Sequence, residues 1–142
     1  MSKEVARRLR EELVGVGPRI VHFPLGVPVS EPSGQIVGSG ERLKILYLGR
    51  LANEQKRVYL LPRIAEQLRH LDVPFRLTIA GAGPEESWLR EEIARGPCAT
   101  DVDFVGSIPY AEVNNLLSEH DIYLLTSCYE GLPLSLLEAM AA

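Results

Sequence analysis

The sequence predicts an α/β fold of the Rossmann-like type, in which helices flank a parallel sheet. Three observations support this prediction. From residue 43 onward, apolar runs of strand length alternate with amphipathic stretches of helix length. The first run, residues 43–48, is almost continuously apolar and stops at Gly49, which is typical of a strand buried on both faces. The connections are short, and strands that alternate with helices favour right-handed crossovers and therefore a parallel sheet.

The elements can be placed in order along the chain. Residues 4–13 are predicted to form a short amphipathic helix with Val5, Leu9 and Leu13 on one side, and residues 19–28 a short strand that runs into a turn. The later strands are predicted at 43–48, 75–80, 102–105 and 122–126, and the later helices at 56–71, 84–94, 110–119 and from Pro133 onward. We expect the four later strands to lie in the order 3-2-1-4.

Composition excludes several classes of protein. The chain has 142 residues, enough for one domain with a real core, and a net charge of −4, so it presents no basic face for nucleic acid. Its apolar runs are far shorter than the roughly 18 residues that a membrane span needs. The N-terminus lacks the apolar region of a secretory signal, and the two cysteines have no metal-binding spacing. We predict a cytoplasmic protein without cofactor, metal, nucleic-acid partner or membrane span; peripheral membrane attachment of a longer form stays open.

The C-terminal segment carries the strongest functional signal. Glu130 and Glu138 bracket a Gly-Leu-Pro turn that leads into a helix, and Pro133 suits the first helical position. The N–H groups of Gly131 and Leu132 would then lie at a helix N-terminus, which favours an anion. Glu138 lies about 7–8 Å further along the helix axis. This arrangement suits a ligand with a charged middle and hydroxyl groups on both sides, and a nucleotide sugar has that shape.

A second signal follows the first predicted strand. Gly49 and Arg50 end that strand, and Lys56 follows six residues after Arg50. Ligands of open parallel sheets bind outside the carboxyl ends of the strands, so the two cations can converge on one anion. Arginine offers a planar fork for phosphate oxygens and lysine a point charge. Arg57 is a competing candidate for the lysine's place.

Together, these motifs resemble those of retaining glycosyltransferases of the GT-B fold, group 1 type. In that family a Gly-Arg-Leu motif and a following Glu-Lys-Gly hold the donor diphosphate, which implies this role for Arg50 and Lys56. The first glutamate of the C-terminal motif contacts the donor sugar and the second the ribose, which implies these roles for Glu130 and Glu138. The resemblance adds the helix start to the donor-binding residues, namely Gly131, Leu132, Pro133, Leu134 and Ser135.

Other segments match the family less closely. Gly81 lies in a turn where small residues would leave room for the nucleotide. Ser107 and Ile108 hold the position whose backbone contacts the nucleobase in the family. Arg57 stands where the family usually has glycine and Thr126 where it has proline, while Asp121 is expected to anchor the start of the fourth strand.

The resemblance implies transfer of a sugar from a nucleotide-diphosphate sugar to an acceptor with retention and without a metal. Residues 43–142 would form the donor-binding domain, truncated before its last helices, residues 31–42 a flexible connector, and residues 1–30 a linker or the end of an acceptor domain. Such a piece is expected to be inactive without its N-terminal acceptor domain. Two alternatives stay open. One is a non-catalytic nucleotide or dinucleotide module, and the other is a phosphorylase or epimerase on the GT-B scaffold. The base, sugar and acceptor are not specified.

Overall fold

The computed structural model describes residues 3–12, 26–27 and 42–142. The strand expected at 19–28 lies outside these residues apart from positions 26 and 27, and the apolar side of the first helix lies outside the described side chains. The elements in order are α1 (Lys3–Glu12), β1 (Leu43–Leu48), α2 (Leu60–His70), β2 (Phe75–Ala80), α3 (Glu86–Arg95), β3 (Val102–Gly106), α4 (Tyr110–Ser118), β4 (Ile122–Tyr123) and α5 (Leu134–Ala141).

The four strands form one parallel sheet in the order β3-β2-β1-β4, which confirms the predicted fold class and strand order. Successive side chains of a strand point to opposite faces, so β1 contributes to two hydrophobic clusters. Ile45 and Tyr47 belong to the larger cluster, which includes residues of α2 and α3. Leu46 belongs to the smaller cluster, to which α4 contributes Val113 and Leu117. The central strand is therefore buried on both faces, as its apolar sequence indicates.

Two elements are shorter than predicted. Helix α2 begins at Leu60 instead of residue 56, because Arg57 takes the left-handed conformation with φ 50° and the Asn53 side chain accepts the Tyr59 N–H at 3.1 Å. Strand β4 ends at Tyr123 instead of residue 126. The Leu124 N–H still donates to the Leu46 carbonyl, but the residues after it bond to the loop between β1 and α2.

The start of α5 also differs from the prediction. Pro133 is the residue before the helix, with φ −77° and ψ 82°, and the first helical residue is Leu134. The Leu136 N–H donates to the Pro133 carbonyl at 3.0 Å, so proline caps the helix with its carbonyl group. Asp121, in contrast, acts as expected: its carboxylate accepts the Lys44 N–H at 2.7 Å and so ties the start of β4 to β1.

The carboxyl ends of β1 and β2 stay paired beyond the strands. The Gly49 N–H donates to the Ala80 carbonyl and the Leu51 N–H to the Ala82 carbonyl, each at 3.0 Å. Gly81 has φ 132°, and a Cβ placed on it would lie 1.9 Å from the Gly49 carbonyl oxygen. Only glycine fits there, so the pairing fixes where the chain leaves β1 at Arg50.

Candidate functional site

A cleft of about 300 Å³ opens at the carboxyl ends of β1 and β2, a size within the usual range of ligand pockets. Both cations predicted from the sequence, Arg50 and Lys56, line this cleft, whereas Arg57 is exposed and lies outside the lining. The geometry therefore favours Lys56 over Arg57 as the second cation. The remaining lining residues are Ala52, Asn53, Glu54, Gln55, Pro84, Glu85 and Tyr129.

Arg50 is positioned through its backbone. The hydroxyl of the buried Tyr47 donates to the Arg50 carbonyl at 3.0 Å, directly after the strand. Burial raises the pKa of Tyr47, so the phenol keeps its proton and stays a donor at neutral pH. The Arg50 side chain is exposed and has no salt bridge among the described residues. Its guanidinium is therefore available to an anion in the cleft.

Lys56 is paired with Glu130, the first glutamate of the C-terminal motif. The Lys56 Nζ lies 2.7 Å from the Glu130 Oε1, and each side chain is only about a fifth exposed, 20% and 18% respectively. The other carboxylate oxygen, Oε2, accepts from the Gln55 amide at 3.3 Å. Lys56 and Gln55, which line the cleft, thus contact a glutamate that lies 74 and 75 positions later in the chain. The pair places a cation for phosphate directly beside an acceptor for hydroxyl groups.

The Lys56 ammonium holds the pKa of the Glu130 carboxyl below its ordinary value, and the Ser127 hydroxyl acts in the same direction. The Ser127 Oγ is buried and has no partner at normal hydrogen-bond distance within the part of the chain that the structure describes. Its effect is therefore that of a nearby dipole rather than of a full hydrogen bond. Glu130 is therefore ionised at neutral pH, and both of its carboxylate oxygens can act as acceptors.

The chain after β4 is joined to the loop after β1 by further hydrogen bonds. The Thr126 hydroxyl donates to the Lys56 carbonyl at 2.5 Å, and the Cys128 N–H donates to the Gln55 carbonyl at 2.9 Å. We call residues 54–56 and 126–130 together the β4 latch. Neither Thr126 nor Gln55 was predicted to contribute to the site. Thr126 stands where the family that the sequence resembles usually has proline, and this departure from the pattern was the available signal.

The start of α5 is held by hydroxyl groups. The Tyr123 hydroxyl lies 3.1 Å from the Leu48 carbonyl oxygen and 2.7 Å from the Ser135 Oγ. Ser135, predicted to bind substrate, is therefore used to join α5 to the end of β1. The Leu134 N–H donates to the Leu132 carbonyl at 2.9 Å. This amide therefore has a partner within the turn.

Most of the other predicted residues lie outside the cleft. Ser107 is exposed, and Ile108 packs against the smaller hydrophobic cluster. A Cβ on Gly81 would meet the backbone of residue 49, so the turn requires glycine, and Gly81 is not among the residues that line the cleft. Glu130 reaches the cleft only through its bonds to Lys56 and Gln55 and is not itself part of the lining. The other predicted residues that do not line the cleft are Gly49, Gly81, Ser107, Ile108, Gly131, Leu132, Pro133, Leu134, Ser135 and Glu138.

Nowhere in 3–12, 26–27 and 42–142 do three or more histidine, cysteine, aspartate or glutamate side chains lie so that they could hold a metal ion. None of the helices in these ranges has both the length and the apolar character to cross a bilayer.

A parallel sheet with flanking helices, and with its cleft at the carboxyl ends of the strands, defines a Rossmann-like domain. The family model for glycosyl transferases group 1 matches residues 32–142, which is most of the chain. The protein belongs to this family. The resemblance drawn from Arg50, Lys56, Glu130 and Glu138 is thereby confirmed at the level of the family.

A curated relative is also a glycosyltransferase. The chain is 36% identical over 142 residues to the amylovoran biosynthesis glycosyltransferase AmsK of Erwinia amylovora, covering 96% of this chain and 32% of AmsK. The structure of a mutant of S. aureus TarM, in complex with Fondaparinux, alpha-GlcNAc-glycerol and UDP, superposes with a TM-score of 0.77 at 20% identity, covering 99% of this chain and 27% of TarM.

A third match is to a single domain. The crystal structure of the C-terminal domain of the group 1 glycosyl transferase LpcC from Francisella tularensis superposes with a TM-score of 0.60 at 21% identity, covering 70% of this chain and 54% of that one. The fold is therefore that of the C-terminal domain of GT-B glycosyltransferases. The chain spans about a quarter to a third of the length of the curated relatives it matches.

Proposed function

We propose that this chain is the donor-binding part of a glycosyltransferase that moves a sugar from a nucleotide-diphosphate sugar to an acceptor with retention. The observation that carries the proposal is the cleft: Arg50 and Lys56 line it together, and Lys56 is bonded to Glu130. Positive charge for a diphosphate and a carboxylate for sugar hydroxyls are thus adjacent at the edge where parallel sheets bind ligands.

The charges suit the chemistry of the reaction. When the bond between the sugar C1 and the diphosphate oxygen breaks, the leaving diphosphate gains negative charge. Fixed cations beside that oxygen stabilise the transition state more than the ground state and so accelerate the step. In our proposal Arg50 and Lys56 supply this charge in place of a metal. Lys56 has three N–H donors, so it can keep Glu130 while it binds a phosphate oxygen.

The remaining roles are assigned by the family pattern. Glu130 would accept from donor-sugar hydroxyls and Glu138 from the ribose, while the backbone at Ser107 and Ile108 would meet the base. UDP in the TarM complex supports a nucleoside diphosphate as the leaving group. The acceptor would be bound by a further domain, as the greater length of the relatives suggests. Without that domain we expect nucleotide binding and no turnover.

The test is a titration with uridine, guanosine and adenosine diphosphates. Binding is measured by calorimetry and by the shifts of amide NMR signals. We expect one of them to bind and to shift signals near Arg50 and Lys56. Replacing Lys56 by glutamine should weaken that binding about tenfold or more, because a bond between charged partners is lost. The matched control is Arg57→Gln, which removes a neighbouring cation outside the cleft.

Two results would contradict the proposal. Equal loss in Lys56→Gln and Arg57→Gln would mean that only net charge matters. Binding of NAD with shifts centred on residues 81–84 would favour the dinucleotide module instead.

A further inference from the structure

Gln55 makes contacts with three consecutive residues of the C-terminal motif. Its side-chain Nε2 donates to the Tyr129 carbonyl at 3.1 Å and to the Glu130 Oε2 at 3.3 Å. Its backbone carbonyl accepts the Cys128 N–H at 2.9 Å. Both side-chain partners are acceptors, so the amide must present its nitrogen to them. Gln55, in the loop between β1 and α2, thus contacts residues 128, 129 and 130.

Lys56 and Gln55 donate to different oxygens of the Glu130 carboxylate. Lys56 contacts Oε1 at 2.7 Å, and Gln55 contacts Oε2. One bond leaves a carboxylate free to rotate about its last torsion, whereas bonds to both oxygens fix its plane. Each oxygen has two lone pairs, so the fixed carboxylate still has acceptor sites for a ligand.

We propose that Gln55 is the positioning residue that orients Glu130 toward the hydroxyl groups of the donor sugar. This inference rests on the proposed function. Gln55 acts through Glu130, and it does so by hydrogen bonds that require the N–H donors of its amide. A glutamate of the same shape offers no donor to Tyr129 or Glu130 and puts a second negative charge beside the first.

The first experiment needs no ligand. The carboxyl carbon of Glu130 is followed by ¹³C NMR across a pH titration in the wild type, in Gln55→Glu and in Gln67→Glu. Gln67 is exposed on α2, so its variant adds the same charge away from the site. We expect Gln55→Glu to move the Glu130 midpoint to higher pH, because a neighbouring like charge disfavours the ionised form. An unchanged midpoint in Gln55→Glu, or an equal shift in Gln67→Glu, overturns the proposal.

The second experiment separates positioning from a merely structural role. Dissociation constants are measured for uridine, guanosine and adenosine diphosphates and for their glucose conjugates, in the wild type, Gln55→Ala and Gln55→Glu. In both variants we expect affinity for the sugar conjugate to fall roughly three- to tenfold more than affinity for the bare diphosphate. The backbone bond to Cys128 remains in each variant, and the urea midpoint checks that each one folds.

The outcomes distinguish this inference from the proposed function. Equal weakening of conjugate and bare diphosphate means that Gln55 only shapes the loop, which overturns its positioning role. If the wild type binds none of these nucleotides, the proposed function fails and the role toward the sugar fails with it. The carboxyl titration still decides whether Gln55 holds Glu130.

Discussion

The carboxyl end of β1 is bordered by two regions that are built differently. On the β2 side, backbone meets backbone: Gly49 and Leu51 donate to Ala80 and Ala82, and Gly81 lies against the Gly49 carbonyl. On the β4 side, the β4 latch joins the loops mainly through side chains, including the Lys56–Glu130 pair and the Thr126 hydroxyl.

This difference indicates on which side of β1 the amino-acid sequence can vary. A backbone-to-backbone approach admits no side chain, so the β2 side tolerates only glycine at its closest point. The β4 side consists of separate polar contacts, each worth a modest amount, and their chemistry can be changed one residue at a time. The site is therefore placed by the first region and given its chemical character by the second.

The largest expected effect is at Gly81. Replacing it by alanine would put a Cβ 1.9 Å from the Gly49 carbonyl oxygen at a φ of 132°. We expect a loss of about 4 kcal/mol or more in the free energy of unfolding, measured by urea denaturation, because backbone must move on both strands. Gly131→Ala is the control, since a Cβ there meets nothing within 4 Å, and should change stability by less than about 0.5 kcal/mol. Similar midpoints for the two variants would contradict the tight approach.

A smaller effect is expected at Thr126. Valine has the same shape but cannot donate to the Lys56 carbonyl, which would lose its 2.5 Å bond in a buried setting. We expect Thr126→Val to lower the free energy of unfolding by about 1–3 kcal/mol. Thr126→Ser keeps the donor, and its urea midpoint should stay closer to that of the wild type. If serine were as harmful as valine, packing rather than the hydrogen bond would be responsible.

The smallest effect is a gain in stability at Arg57. This residue has φ 50°, a conformation that costs most side chains roughly 1–2 kcal/mol and that glycine adopts freely. Part of the gain is offset by the entropy of glycine in the unfolded chain, so we expect Arg57→Gly to stabilise by about 0.5–1 kcal/mol. The control is Asp72→Gly at φ 53°, where aspartate already tolerates the conformation and the gain in thermal midpoint should be smaller. A loss of stability in Arg57→Gly would show that the arginine side chain has a role of its own.

The polar contacts of the site were largely invisible in the sequence. Arg50 and Lys56 could be placed together because strand ends of a parallel sheet share one edge. Gln55 and Thr126 could not be found in this way, since their partners lie 70 or more positions away. The one available signal was that Thr126 stands where the family usually has proline. The shortened start of α2 was missed because arginine rarely adopts the left-handed conformation that Arg57 has. The glycine that the family usually has at this position was the available signal.

The sequence alone predicted the α/β class and the parallel order 3-2-1-4 correctly. It did so because hydrophobic periodicity and short connections are local properties that restrict the chain to few topologies. Only the tertiary structure decided that Gln55 and Lys56 share the Glu130 carboxylate, and that Gly81 is required by the neighbouring strand. Contacts between distant segments depend on side-chain direction and backbone proximity, which exist only after the sheet has assembled.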